Sequence, residues 1–453
     1  MRLIFLTLSL LLHSVAQGQD LFRLTGKILN PQQDYLTFTY YADWVSEPRE
    51  YTLTLNKDQE FLVEFPLKEM AYCDISFGEH GVHLLKIEPG DSIHLMFDQD
   101  DFNNTLRVEG PGSHKWAYQL MLRQRFEVDE DGDRELSQFN SPRYFEITQK
   151  WLSLQNQLLD QQTSMVSPEF AALQKADILG KVKLFELGYL NNKNSSDSLL
   201  QLDWNQFPEH IKAKSIYMGQ VADALVDNYL KNKRTSASRT LEYEYLKLLK
   251  DRIGTGLTEK VLATKLLQYL DTDGMSEEIK LLGEDFMYFA QNDEYKKVLA
   301  TQFRRKEALA VGKAAPNFIV QNKKGKLVEL KDFKGKNLVL GFYDDECYLC
   351  HEDMRAMEFV QGFFRKKKDL LFVFINLSPR ELYLQFIKNP SLLGTHLNAP
   401  DNSFIRKNYN TQLLPNYLII DKTGKILANA VDEPRLDDGR SMIQDIEKLI
   451  YKP

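Results

Sequence analysis

The 453-residue sequence predicts a multidomain chain: an all-β sandwich-like region first, an all-α region in the middle and an α/β domain last. Three observations carry this. Residues 21 to about 110 alternate apolar and polar side chains in short runs, residues 114 to 309 change to a helical period, and from Val311 onward continuous apolar strands flank a helix. At roughly 150 residues per domain the length allows about three domains. An apolar content of 43% is that of packed protein, not of a disordered chain.

Before the first strand, Arg2 precedes the apolar run Leu3 to Leu12, and Ser14-Val15-Ala16-Gln17-Gly18 supplies small residues at cleavage spacing. Residues 1–18 therefore read as a secretory signal peptide cleaved near Gly18. No cysteine follows the run, so a bacterial lipid anchor is not expected. No later segment reaches the ~18 consecutive apolar residues of a membrane helix. The expectation is an exported protein, periplasmic or in the cell envelope, without a membrane span.

Residues 19–112 hold the strands "LFRLTGKI", "YLTFTYYA", "YTLTL", "EFLVEF", "CDISF", "HLLKI" and "SIHLMF", punctuated by "NPQQD", "NKDQ" and "EPGDS". Short alternating strands with turn residues between them suggest an antiparallel sandwich or a sheet with one open face. Cys73, in "AYCDISF", alternates like a strand residue and reads as a buried, inert thiol.

Residues 113–309 place one apolar stripe along each helix, as in Tyr144, Ile147, Trp151, Leu154 and Leu158, or Ile279, Leu282, Phe286 and Phe289. Such stripes are core faces, and about six to eight helices fit the span. The acidic stretch "EVDEDGDRELSQ" from Glu127 superficially resembles a calcium loop. Its first position is Glu127, however, and its twelfth is Gln138 where a bidentate Glu is needed.

Residues 310–453 open with strand "NFIVQ", a turn at "NKKGK" and strand "LVEL". The buried-looking strand "NLVLGFY" then runs straight into "DECYLCHED", a helical pattern follows through Met354, Met357, Val360 and Phe364, and "LLFVFINL" is again wholly apolar. Apolar strands flanking a helix are what a parallel pair covered on both faces requires. Cys347 and Cys350 thus sit where strand turns into helix. A thiolate there is stabilised by free backbone N–H groups and the positive end of the helix dipole. Cys347, at the exposed cap, is placed to attack, and Cys350, one turn further in, to resolve a mixed disulfide. About 65 residues on, Pro415 in "LLPNYLII" stands directly before an alternating strand, a position tolerated if its preceding bond is cis. That loop could offer the backbone of Leu414 to an extended substrate segment, with Tyr348 the other candidate substrate contact.

With "GKAAPNF", "LKDFKGKNLVLGFY", "CYLCHEDM" and "LLPNYLIIDKTGKI" in view, the region from Val311 to Pro453 resembles the TlpA-like branch of thioredoxin-fold proteins, exported thiol:disulfide oxidoreductases. The resemblance implies a thioredoxin-like fold, Cys347 as nucleophile, Cys350 as resolving thiol and Pro415 as the cis-proline. It implies too that Asp353 stands in for the glutamate that assists proton transfer at the buried thiol. The whole chain is similar to a Bacteroidetes-type architecture in which a sandwich ending in "PGDSI" and "VEGPGSHKWAY" and a helical spacer precede that domain. Protein thiols and disulfides are then the substrates, an upstream electron-donor protein is required, and no cofactor is needed because the cysteines carry the electrons.

The sequence departs from the family around the pair: Glu346 replaces the usual Trp, and Tyr348-Leu349 replaces a pair often containing Pro. Asp344, Asp345, Glu346, Glu352 and Asp353 surround the cysteines. Carboxylates oppose a thiolate and raise its pKa, which predicts a reducing couple. Three rival readings exist. "CYLCH" satisfies the haem-attachment motif with His351 as iron ligand, but a strand leading into the motif leaves no open helical pocket. Zinc lacks a second ligand pair. A non-catalytic binding scaffold built on a degenerate domain is the alternative function. The formal net charge of -7 argues against a nucleic-acid partner, three cysteines are too few for a disulfide scaffold, and Arg365 to Lys368 reads as a solvated helix end.

Overall fold

The computed structural model describes residues 21–78, 80–126, 136, 138–192, 202–232, 238–345, 347–389, 392–399, 403–409, 411, 414–429 and 431–452. Residues 1–20, which include the expected leader, most of the acidic stretch after Glu127, the polar stretch from Lys193 and Glu346 lie outside them. The chain forms two compact units, one of residues 1–269 and 281–299, the other of residues 270–280 and 300–453.

In the first unit the alternating segments become eight strands: β1 (Leu21–Leu29), β2 (Tyr35–Tyr41), β3 (Arg49–Thr54), β4 (Glu60–Pro66), β5 (Ala71–Phe77), β6 (His80–Ile87), β7 (Ser92–Asp98) and β8 (Arg107–Glu109). They form two four-stranded sheets, ordered β4-β1-β7-β8 and β3-β2-β5-β6. Strict alternation puts Phe61, Val63 and Phe65 of β4 inward and Glu60 and Glu64 outward. The inner faces meet in one apolar core that includes Phe22, Phe38, Phe65 and Ile75, where Tyr40 and Phe65 stack with ring centroids 4.3 Å apart. Two features differ from the sequence reading. β8, three residues long, is too short to show alternation. β1 pairs parallel to β7, from Arg23↔Ser92 to Leu29↔Asp98. A tight hairpin forces antiparallel pairing, but five strands intervene here, so the long connection leaves both directions open. Cys73 is free and fully buried, and burial pushes its thiol well above the ordinary range.

The "EPGDS" and "GPGSHKW" segments lock together. Buried Lys115 donates to Glu88 and, at 2.7 Å, to Asp91, and Trp116 Nε1 donates to the Lys86 carbonyl. Eight helices of ten or more residues follow among the described residues: α1 (Ser113–Phe126), α2 (Ser141–Asp160), α3 (Pro168–Asn192), α4 (Ile216–Asn232), α5 (Arg239–Leu248), α6 (Thr255–Thr272), α7 (Glu277–Phe289) and α8 (Asp293–Ala308). Within this unit, buried Asp177 of α3 accepts hydrogen bonds from Tyr72 and Ser215 and pairs with Lys86 at 2.7 Å. No described helix is long and apolar enough to cross a membrane.

The second unit is built on a seven-stranded sheet of β9 (Ile319–Gln321), β10 (Leu327–Glu329), β11 (Asn337–Tyr343), β12 (Leu370–Asn376), β13 (Thr395–Asn398), β14 (Asn416–Ile420) and β15 (Ile426–Asn429), ordered β10-β9-β13-β12-β11-β14-β15. Its helices are α9 (Tyr348–Phe363), α10 (Arg380–Phe386), α11 (Ser403–Tyr409) and α12 (Arg440–Ile446). β11 is central and buried throughout, parallel to β12 and antiparallel to β14. Its alternate residues feed two cores, Leu338, Leu340 and Phe342 on one face, Val339 and Tyr343 on the other. This α/β unit is the thioredoxin-like fold, and its central strand delivers the chain to the cysteine pair.

Candidate redox site at the start of α9

Cys347 is the N-cap of α9, with φ −81° and ψ 100°. An N-cap side chain normally offers an oxygen to the first free N–H groups of the helix. Here the Cys347 sulfur takes that place, accepting the N–H of Cys350 at 3.1 Å. Cys347 is half-buried, Cys350 is 1% exposed, and the two are joined in a disulfide. His351 in the same turn spends Nε2 on the Asp345 carbonyl at 2.8 Å.

The turn from β11 into α9 is held by polar groups at the carboxyl ends of three strands, the edge where open α/β sheets place their sites. The Asp345 N–H donates to Ser378 Oγ at 2.8 Å, and Asn376 Nδ2 donates to the Asp345 carboxylate at 3.0 Å. Asn398 Nδ2 closes the set on the Ser378 carbonyl at 2.9 Å. Asn376, Ser378 and Asn398 are all buried. Burial raises the pKa of Asp345, with the hydrogen bonds from Asn376 and Ser378 acting against it.

One turn beyond Cys350, Asp353 is fully buried, and spacing of three puts both on the inner face of α9. Its Oδ1 accepts the backbone N–H of Arg435 at 3.1 Å and Arg435 Nη1 at 3.2 Å. Burial raises the Asp353 pKa, opposed by the Arg435 N–H, the Tyr417 hydroxyl and the Arg435 charge. Burial and the facing carboxylate together push Tyr417 well above the ordinary phenol range.

The Leu414–Pro415 peptide bond is cis and Pro415 is buried. Leu414 and Cys347 are both half-buried against the core cluster that contains Cys350 and Tyr417. Cys347, Cys350 and Leu414 thus belong to one apolar cluster with Tyr417, whose hydroxyl acts on Asp353. Tyr348 stands apart, 68% exposed, with its hydroxyl held by Glu352.

Several residues of the site were not identified from sequence. Arg435 and Arg406 are two of them: Arg435 pairs with Asp353, and Arg406 lies 3.7 Å from Asp344. Two of the carboxylates around the pair therefore carry a guanidinium. Asn376, Ser378 and Asn398 had no motif to announce them. Tyr417 did leave a signal, a glycine inside the apolar strand "NLVLGFY", which marks a close approach. A Cβ at Gly341 would stand 2.8 Å from Tyr417 Cε1. In the first unit, Asp223, Asp227 and Glu242 form a cluster of metal-ligand type, and Lys265 Nζ sits among them at 2.7, 3.5 and 2.6 Å, offsetting one of the three charges.

Residues 311–429 match the AhpC/TSA family. The thiol-disulfide oxidoreductase ResA of Bacillus thuringiensis subsp. konkukian is 30% identical over 125 residues, 28% of this chain and 72% of the relative. That of Bacillus anthracis is 30% identical over 131 residues, 29% of this chain and 75% of the relative. The chain belongs to the thioredoxin-fold thiol-disulfide oxidoreductases. It is thus an enzyme of that class, and the non-catalytic scaffold loses its ground. Similar solved structures include the thioredoxin domain of a thiol-disulfide oxidoreductase from Bacteroides vulgatus, 22% identical, covering 31% of this chain and 99% of that one with a TM-score of 0.28. A thiol-disulfide oxidoreductase from Bacteroides fragilis is 26% identical, covering 27% and 94% with a TM-score of 0.26. The family match lies within the second unit.

Proposed function

We propose that the protein reduces disulfides of client proteins outside the cytoplasm by dithiol–disulfide exchange through Cys347 and Cys350. The observation that carries this is the asymmetry of the pair, a half-exposed sulfur at a helix N-terminus bonded to a buried one in the next turn. The Cys347 thiolate attacks one sulfur of a client disulfide, the client S–S bond breaks, and one client thiolate leaves. Cys350 gives up its proton and attacks the Cys347 sulfur, the mixed disulfide breaks, and the second client thiolate leaves. Two electrons have passed to the client and the pair is a disulfide, which an electron-donor protein returns to the dithiol.

In this reading Asp353 takes the Cys350 proton, Pro415 shapes the loop, and Leu414 and Tyr348 contact the client. Export rests on the leader at residues 1–18 and points to the periplasm or cell envelope. The remainder divides into a β region to residue 112, a helical region to 309 and the redox domain from 310. A redox titration of the leader-less chain in thiol and disulfide buffers, with alkylated Cys347 and Cys350 counted by mass, tests the function. The expected result is one reversible two-electron transition more negative than roughly −200 mV. A more oxidising couple would make the protein a disulfide donor, and no reversible transition would remove the proposal.

A further inference from the structure

The buried carboxyl of Asp353 is not held symmetrically. Both contacts from Arg435, one from its backbone N–H and one from its guanidinium, fall on Oδ1, while Oδ2 accepts nothing from Arg435 and has no hydrogen bond of strict geometry, the Tyr417 hydroxyl being the other group that acts on this carboxyl. Arg435 is itself held from behind by Glu433. Its loop is closed by the Gly439 N–H donating to the Pro434 carbonyl at 2.7 Å. The guanidinium is 17% exposed and lines an open groove of about 870 Å³ with Glu352, Arg355, Phe359, Leu436 and Arg440. An arginine anchored by a second carboxylate and its own backbone fixes the orientation of a partner in a way a lone lysine cannot.

We propose that Arg435 is a positioning residue for the thiol chemistry: it pins Oδ1 of Asp353 and so leaves Oδ2, which Arg435 does not occupy, to accept the Cys350 proton. This rests on the exchange mechanism above. In the resolving step the Cys350 S–H bond breaks, its proton goes to Oδ2, the Cys350 thiolate attacks the Cys347 sulfur, and the client thiolate leaves to take its proton from water. The titratable and charged groups around Asp353 are Arg435 and, behind it, Glu433 on the loop before α12, Tyr417 on β14 and Cys350 on α9 itself. Arg435 holds the carboxylate charged against burial, so removing it moves the proton acceptor's working range to higher pH.

The test is a stopped-flow reaction of the reduced full chain with Ellman's reagent across pH. The first thionitrobenzoate released reports attack by Cys347, the second reports resolution by Cys350, and C350S, which gives only the first, is the control. In R435Q the midpoint of the second step is expected to rise by about one pH unit, slowing resolution about tenfold on the acid side while the alkaline plateau holds. In R435K, which keeps the charge but not the fork, the midpoint should fall between wild type and R435Q. If near-ultraviolet circular dichroism shows R435Q unfolded, R435K decides alone. A merely structural arginine lowers stability without moving the profile, so arginine variants superposing on wild type while D353N is slowed would overturn the proposal and leave Asp353 in its role. D353N matching wild type would overturn both. No second release from wild type would instead sink the exchange reaction itself.

Discussion

Cys347 and Cys350 differ in burial far more than their separation of three suggests, and in the proposed exchange that difference sets their order of action. A client disulfide reaches the sulfur at the cap; it cannot reach one that is 1% exposed. C350S is therefore expected to accumulate mixed disulfides with envelope proteins through Cys347, seen as thiol-sensitive bands on non-reducing gels. C347S should accumulate none, and equal trapping by both variants would reverse the assignment. The placement of the cysteines and Asp353 at the start of a helix, and the cis bond before Pro415, were legible in sequence because each lies in a short stretch whose neighbours define strand, turn or helix. Arg435 was not, because its partner lies 82 residues away and nothing in "DEPRLDDG" separates a positioning arginine from a surface one. The count of five carboxylates near the pair was correct as sequence, but only three dimensions reveal that Arg406 and Arg435 face two of them.

The elements themselves were legible in proportion to their periodicity. "NLVLGFY" and "LLFVFINL" are continuous apolar runs, and they are the adjacent parallel strands β11 and β12. The β1–β7 pairing escaped because a strand's own pattern states which face is buried, not which strand lies beside it. The segment between β15 and α12 has neither period, yet it carries Arg435, and Gly439 sets its geometry. Gly439 has φ +76°, and a Cβ there would come within 2.2 Å of Val360 Cγ2 on α9. G439A combines left-handed backbone strain of about 1–2 kcal/mol with overpacking of about 1–3 kcal/mol. The expected outcome is a domain destabilised by about 2–5 kcal/mol with the loop displaced from α9. Urea unfolding followed by a near-ultraviolet signal measures this; an unchanged midpoint would mean that Val360 moves aside at no cost.

At the scale of the whole molecule, the buried ionisable groups shape stability against pH, and the acidic and basic ones act in opposite windows. Burial raises Asp223 of α4 to about 6, with the Lys265 charge opposing it and Asp227 and Glu242 adding to it. A carboxyl whose folded pKa exceeds its unfolded value near ~3.9 binds its proton more tightly when folded, so its stabilisation is complete below ~4 and is lost as pH rises to about 6. Burial raises Asp91, Asp345 and Asp353 in the same direction. The groups lowered instead, Glu242, Asp421 and Asp437, lose their stabilisation only as pH falls below the ordinary carboxylate range. On the alkaline side, burial lowers Lys260 to about 8 although its Nζ donates to the carbonyls of Lys214 and Ser215. A lysine depressed from ~10.4 contributes stability that is present above that value and lost as pH falls through about 8. Between about 6 and 8 half-buried Asp223 and buried Lys260 are both charged, so these two groups stabilise the first unit least in that interval. Thermal midpoints of the full chain across pH should therefore show an acid limb that D223N flattens and an alkaline limb that K260M flattens. Each substitution acts on its own limb alone, because the two carry opposite charges and titrate in separate windows. If either limb keeps its slope in its variant, some other group drives that part of the profile.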